Sequence, residues 1–153
     1  MIKEAVIHHL SFLKELHPLE FEDIDTEGIE LYLDVTTQSR EIREIIGTNK
    51  SKFKLILYTI LSGEYNDDLY KKEAEGVYAM RFSKPNSRIY CREIHGVREK
   101  KKIIMSRSML NKTSQKNNKT NGPIIEALQE YEFKYFTKYE ETERYKNSQK
   151  RLH

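Results

Sequence analysis

An α+β fold with a four-stranded antiparallel sheet is predicted by three features of this sequence. Three strand-length runs, GVYAMRFS, SRIYCREI and KIIMSRSML, follow one another between Glu75 and Leu110 with short turns between them, the pattern of a meander. An earlier run alternates Ile29, Leu31, Leu33 and Val35 with Glu30, Tyr32 and Asp34, the period of two expected of a strand with one buried face. Around these strands lie segments with apolar residues at three-to-four spacing. They supply the helical layer that a sheet with one apolar face requires.

Taken in order, Ile2, Val6, Leu10 and Leu13 predict a helix from Ile2 to His17, ended by Pro18. The acidic piece 19–27 is a connector, and Gly28 precedes the first strand. Ile42, Ile45 and Ile46 predict a short helix that Thr36 or Thr37 can cap and Gly47 closes. Phe53, Ile56, Leu57, Ile60 and Leu61 form the stripe of the next helix, which Gly63 stops. YNDDLYKKEAEG reads as a charged connector. In the meander, Tyr78, Met80 and Phe82 should share a face opposite Val77, Ala79 and Arg81. On the next strand Arg88, Tyr90, Arg92 and Ile94 should lie opposite Ile89, Cys91 and Glu93. On the third, Ile103, Met105, Arg107 and Met109 alternate with Ile104, Ser106 and Ser108. The Lys/Asn/Thr-rich loop 111–122 leads to Pro123 and a helix whose stripe runs through Ile124, Leu128, Tyr131, Tyr135 and Tyr139. Residues 140–153 lose periodicity and read as a frayed helix end or a mobile tail.

The 153 residues fit a single domain, with 27 Lys and Arg against 24 Asp and Glu. The net charge of +3 is small, but its distribution is uneven. Residues 20–34 carry seven acids and no Lys or Arg, whereas residues 98–119 carry eight bases and one acid. A positive pole of this kind suits a polyanionic partner. Cys91 is the only cysteine, so no internal disulfide can form, which fits a reducing compartment. The first residues lack the apolar core of a signal peptide, and no run is long enough to span a membrane, so a cytoplasmic location is expected. No metal site or cofactor is expected: the histidines are scattered, Asp67-Asp68 stands alone, and the six glycines form no phosphate-binding loop.

Without the first helix, the order is strand, two helices, three-stranded meander, helix. Met80-Arg81-Phe82, Ser87-Arg88-Ile89-Tyr90 and the loop Met109-Leu110-Asn111-Lys112-Thr113-Ser114-Gln115-Lys116 follow in that order. With an amphipathic helix containing Glu126-Ala127-Leu128, this resembles the RelE/HigB/ParE superfamily of bacterial toxins, most closely its HigB-like and phage-derived members. The resemblance covers residues 28–135 and implies a RelE-like core, with residues 1–27 as a helical extension. It also departs from the family pattern: the aromatic expected before the lysine loop is Leu110, and one of the paired lysines is Asn111.

The resemblance implies the toxin of a type II toxin–antitoxin pair, a metal-independent endoribonuclease that cuts mRNA on the ribosome by 2'-hydroxyl attack. Its partners would be ribosome-bound mRNA and a cognate antitoxin protein. Arg81 and Arg107 fall where the family places basic active-surface residues, and Lys112 lies in the loop from which a lysine base would act. By residue type alone, Arg81 could equally pair with an acid at a strand end, and Arg107 could cover apolar surface with its stem. Arg88 and Arg92 flank Tyr90, which suits phosphates on either side of a stacked base and equally a solvated sheet face. Lys50, Lys52 and Lys54 with Lys112, Lys116 and Lys119 would add a basic rim for RNA. Among the histidines only His95 lies near the meander, in a turn, so a lysine rather than a histidine would have to serve as base. The alternative is a non-catalytic toxin or phage-derived binding protein of the same fold, acting on a protein target such as DNA gyrase.

Overall fold

Two segments expected to be helical, residues 2–7 and 132–136, meet as paired strands. In the computed structural model, residues 2–7, 29–36, 39–83, 86–96, 100–110 and 122–152 are described. Strands β1 (Ile2–Ile7), β2 (Ile29–Asp34), β3 (Tyr70–Ala74), β4 (Val77–Ser83), β5 (Asn86–Ile94), β6 (Lys101–Leu110) and β7 (Glu132–Phe136) form one sheet in the order β3-β4-β5-β6-β2-β1-β7. The helices are α1 (Ser39–Thr48), α2 (Lys50–Ser62), α3 (Gly122–Glu130) and α4 (Glu143–Leu152), with a short 3₁₀ turn at Tyr139–Glu141. The sheet therefore has seven strands, and it is mixed: β2 runs parallel to β6, and β7 parallel to β1. This overturns the expected four-stranded antiparallel sheet of RelE type.

The central strands β4, β5 and β6 lie where the alternating runs place them, joined antiparallel. The additions are at the flanks. β1 replaces the expected helix over residues 2–7; the remainder of that expected helix lies outside the described residues. Ile2 and Val6 have helical spacing, but in so short a run apolar spacing fits either element. Pairing decides it. Ala5 lies opposite both Asp34 and Tyr135, so this strand is bracketed on both sides. β7 likewise interrupts the expected long helix. Tyr131, Phe133 and Tyr135 alternate as a strand does, and aromatic residues fit a pleated surface. β3 replaces part of a predicted connector; its Lys71, Lys72 and Glu73 suit an edge strand that must not recruit further strands.

Two apolar layers hold the sheet. On one face α1 and α2 press Ile42, Ile45, Phe53, Ile56, Leu57 and Ile60 against Leu31, Leu33, Met80, Phe82, Ile89, Ile103 and Met105. Burying each such side chain stabilises the fold by about 1.5–3 kcal/mol. On the other face α3 sets Leu128 against Val77, Ala79 and Tyr90. Beside it, Ala5, Tyr32 and Ile104 form a third cluster joined by Phe133. Among the described residues no helix is long and apolar enough to cross a membrane.

One irregularity matters for the site. Tyr90 pairs with Arg107 but Cys91 pairs with Met105, so Ser106 is an extra residue, a β-bulge in β6. Asp34, fully buried, accepts a 2.6 Å hydrogen bond from the Ser106 hydroxyl and a 2.9 Å bond from the Thr36 backbone N–H. The bulge shifts the alternation by one. Arg107 and Met109 therefore lie on the α3 face, not on the face of Ile103 and Met105 as strict alternation predicts.

Candidate nucleic-acid interface

The β4–β5 hairpin brings two of the predicted arginines together. Arg81 and Arg88 are direct cross-strand partners whose side chains leave the α3 face of the sheet. Alternation along each strand puts them there: Val77 and Ala79 precede Arg81 on this face, and Tyr90 follows Arg88. Arg81 Nη1 donates to the Asp67 carbonyl at 2.9 Å. Arg88 Nη1 donates to Asn86 Oδ1 at 3.1 Å and to the Ser87 carbonyl at 3.0 Å. Neither arginine forms an ion pair among the described residues. Burial, and then the Arg81 charge, push the Arg88 guanidinium below its ordinary pKa. Two like charges held this close are an arrangement that an anion relieves.

The pair opens onto a shallow pocket of about 170 Å³ lined by Lys52, Asp68, Arg81, Phe82, Ser83, Asn86 and Arg88. Lys52 and Ser83 also border a larger hollow of about 480 Å³, formed by residues 47–52. The first turn of α2 carries Lys50 and Lys52 and no acidic residue. Three cations against Asp68 leave the smaller pocket positive, and Lys50 extends that sign along its rim.

The other candidates part company with this corner. Tyr90 is fully buried beneath α3 with Val77, Ala79 and Leu128, so it packs the core and offers no face to a base. Arg92 donates through Nη1 to the carbonyls of Leu128 at 2.7 Å and Gln129 at 2.9 Å, closing the C-terminal end of α3. Its Nε is buried without a partner among the described residues. Arg107 reaches the Tyr131 hydroxyl at 3.3 Å. Lys54 lies 5.6 Å from the Tyr58 ring centre, on α2. Lys112, Lys116 and Lys119 fall outside the described residues. Of the proposed catalytic set, Arg81 is thus at the pocket and Arg107 is turned toward the β7 side of the same face.

A second polar cluster was not singled out from the sequence. The Glu93 side chain, 2% exposed, accepts hydrogen bonds from the hydroxyls of Tyr65 and Tyr70, each at 2.8 Å. His95 Nε2 lies 2.7 Å from the same carboxylate and Lys101 Nζ 3.4 Å. Burial raises the carboxyl, but the bonds from Tyr65, Tyr70 and His95 and the Lys101 charge outweigh it and hold Glu93 below its ordinary pKa. Burial and the bond to Glu93 in turn push the Tyr65 hydroxyl far up. The only clue in the sequence was a lone glutamate on the apolar face of β5. The cluster lies on the α1–α2 face near the β5–β6 turn, at the other end of β5 from Arg88.

The chain matches no protein family, no curated protein and no solved structure.

Proposed function

We propose that this chain binds polynucleotide, with Arg81, Arg88 and Lys52 holding backbone phosphate at the β4–β5 corner. The observation that carries the reading is the cross-strand arginine pair, neither member in an ion pair among the described residues, lining a pocket with Lys52 and a single acid, Asp68. Guanidinium groups meet phosphate through two parallel N–H bonds, and each phosphate neutralised releases counterions from the polyanion. Binding should fall steeply with salt. Fluorescence anisotropy of a labelled oligoribonucleotide across a salt series tests it: Arg81→Ala and Arg88→Ala should each lower the slope of log K against log salt by about 1. An unchanged slope in the double variant sinks the reading.

A second reading rests on the same pair. Of the two arginines brought together, Arg81 falls where the toxin resemblance implies an active-surface residue, and Arg88 lies in one of the motifs that carry it. Arg107, the other implied active-surface residue, lies toward β7. On this reading the chain is the toxin of a toxin–antitoxin pair, and its bound RNA is mRNA on the ribosome. The 2'-oxygen attacks the adjacent phosphorus as the P–O5' bond breaks, leaving a 2',3'-cyclic phosphate and a 5'-hydroxyl protonated from water. Arg81 would stabilise charge on the phosphate, and a neutral Lys112 would take the 2'-hydroxyl proton. The seven-stranded sheet gives the reading no support from fold, so it stands on the corner alone. Induced expression with mapping of mRNA ends tests it: cleavage that disappears in Arg81→Ala supports it, and intact transcripts during growth arrest refute it.

A further inference from the structure

We propose that the β7 side of the α3 face is a stacking platform for unpaired bases, so that the polynucleotide this protein takes is single-stranded. The inference rests on the polynucleotide-binding reading and adds a second site to it. Phe133 and Tyr135 alternate along β7, with Tyr131 immediately before the strand, so all three side chains lie toward one face. The parallel pairing of β7 with β1 sets Lys3 opposite Phe133 and the small Ala5 opposite Tyr135. Lys3 Nζ stands 4.8 Å from the Tyr131 ring centre, and Lys102 Nζ stands 5.4 Å from that of Tyr135.

This is not the pattern of a core. Tyr135 keeps 38% of its surface exposed, and Tyr131 and Phe133 are only half-buried. β7 is the last strand of the sheet, and Tyr135 leans on Tyr32 of β2 at 4.9 Å between ring centres, which fixes the ring from one side. A ring held from behind, partly open in front and attended by an ammonium group offers a base a π-face and its phosphate a counter-charge. Glu30, 4.0 Å from Lys102, is the acid of this strip, so Lys3 is the cation better placed to meet phosphate. Arg107, the cross-strand neighbour of Tyr90, reaches the Tyr131 hydroxyl and adds a third cation beside these rings. A duplex keeps its bases stacked on one another and can use the corner but not the rings.

The test is binding of the full chain to three labelled probes: a single-stranded oligonucleotide, the same strand with abasic residues, and the corresponding duplex. Tyr135→Leu keeps an apolar side chain but removes the π-face, and circular dichroism checks that it folds. The intact single strand should bind more tightly than the other two, and Tyr135→Leu should weaken it about tenfold while leaving the abasic strand unaffected. Equal binding of intact and abasic strands by the parent protein overturns the platform and leaves phosphate binding at the corner standing. Tyr135→Leu weakening all three probes alike also overturns it. Binding of none of them refutes the polynucleotide reading itself. Should Tyr135→Leu fail to fold, Tyr131→Leu serves: loss confined to the intact strand supports the platform, and no loss on any probe, or equal loss on all three, overturns it.

Discussion

Arg81 and Arg88 face each other in register across two antiparallel strands, and neither forms an ion pair among the described residues. Like charges directly opposite on a sheet destabilise it, by roughly 0.2–1 kcal/mol relative to neutral pairs. A small polyvalent anion should therefore stabilise the folded protein by binding between them. Pyrophosphate at about one hundred times its dissociation constant contributes roughly 2.7 kcal/mol, a rise in Tm of several degrees for a chain of this length. The shift should vanish in Arg81→Gln/Arg88→Gln. A thermal scan that shows the same rise in that double variant places the anion elsewhere.

What the sequence discloses follows a simple division. β4, β5 and β6 are legible because their alternation is long enough to separate from helical spacing, and turn residues bound them. β1, β3 and β7 are five or six residues each, and their strand character is decided by partners far away in the chain. Alternation also correctly sets Arg81 apart from Met80 and Phe82, and Arg88 apart from Ile89. It fails at Arg107, where the Ser106 bulge adds one residue that no local pattern announces. Tyr90 and Arg92 share a face with Arg88 as expected, yet α3 covers the first and recruits the second. Which part of a sheet face a helix will cover is a tertiary fact.

Glu93 should make stability depend on pH in the acid range. Its carboxyl is depressed in the folded protein, so its contribution is fully present above the ordinary glutamate value near 4.5 and is lost as pH falls through the lower folded value. Glu93→Gln should flatten the curve of unfolding free energy against pH over that window. Glu93→Ala removes the acceptor and leaves Tyr70, Tyr65 and Lys101 without it, at a cost of about 3–5 kcal/mol at neutral pH. Urea titrations at a series of pH values check both. Parallel curves for Glu93→Gln and the parent from pH 5 downward contradict the assignment.

Two glycines with the same backbone angle separate strain from crowding. Gly63 and Gly76 both have φ of 74°, a conformation that costs a residue with a Cβ about 1–2 kcal/mol. A Cβ at Gly63 meets nothing, whereas one at Gly76 comes within 3.2 Å of Arg92 Nε. Gly76→Ala should therefore destabilise by more than Gly63→Ala, and the excess should shrink when Arg92 is also replaced by Ala. A double-mutant cycle measures that coupling. Equal costs for the two glycine variants would show that the Arg92 side chain gives way freely.

Glu4 ties the C-terminal helix to the sheet. Its carboxylate accepts the backbone N–H of Glu143 at 2.7 Å and of Arg144 at 3.0 Å, two of the donors a helix leaves open at its start. The Thr142 hydroxyl takes a third, from Tyr145 at 3.1 Å. A negative charge at this end is favoured by the helix dipole as well, and α4 packs little else against the sheet. Glu4→Ala should cost about 1 kcal/mol, expressed locally. Hydrogen exchange in residues 143–152 should speed up while amides of β4 and β5 keep their protection. Glu4→Gln, which keeps the acceptor but loses the charge, should fall between. Faster exchange throughout the sheet in Glu4→Ala would mean instead that Glu4 supports β1, whose side chain at this position is buried beside Val6.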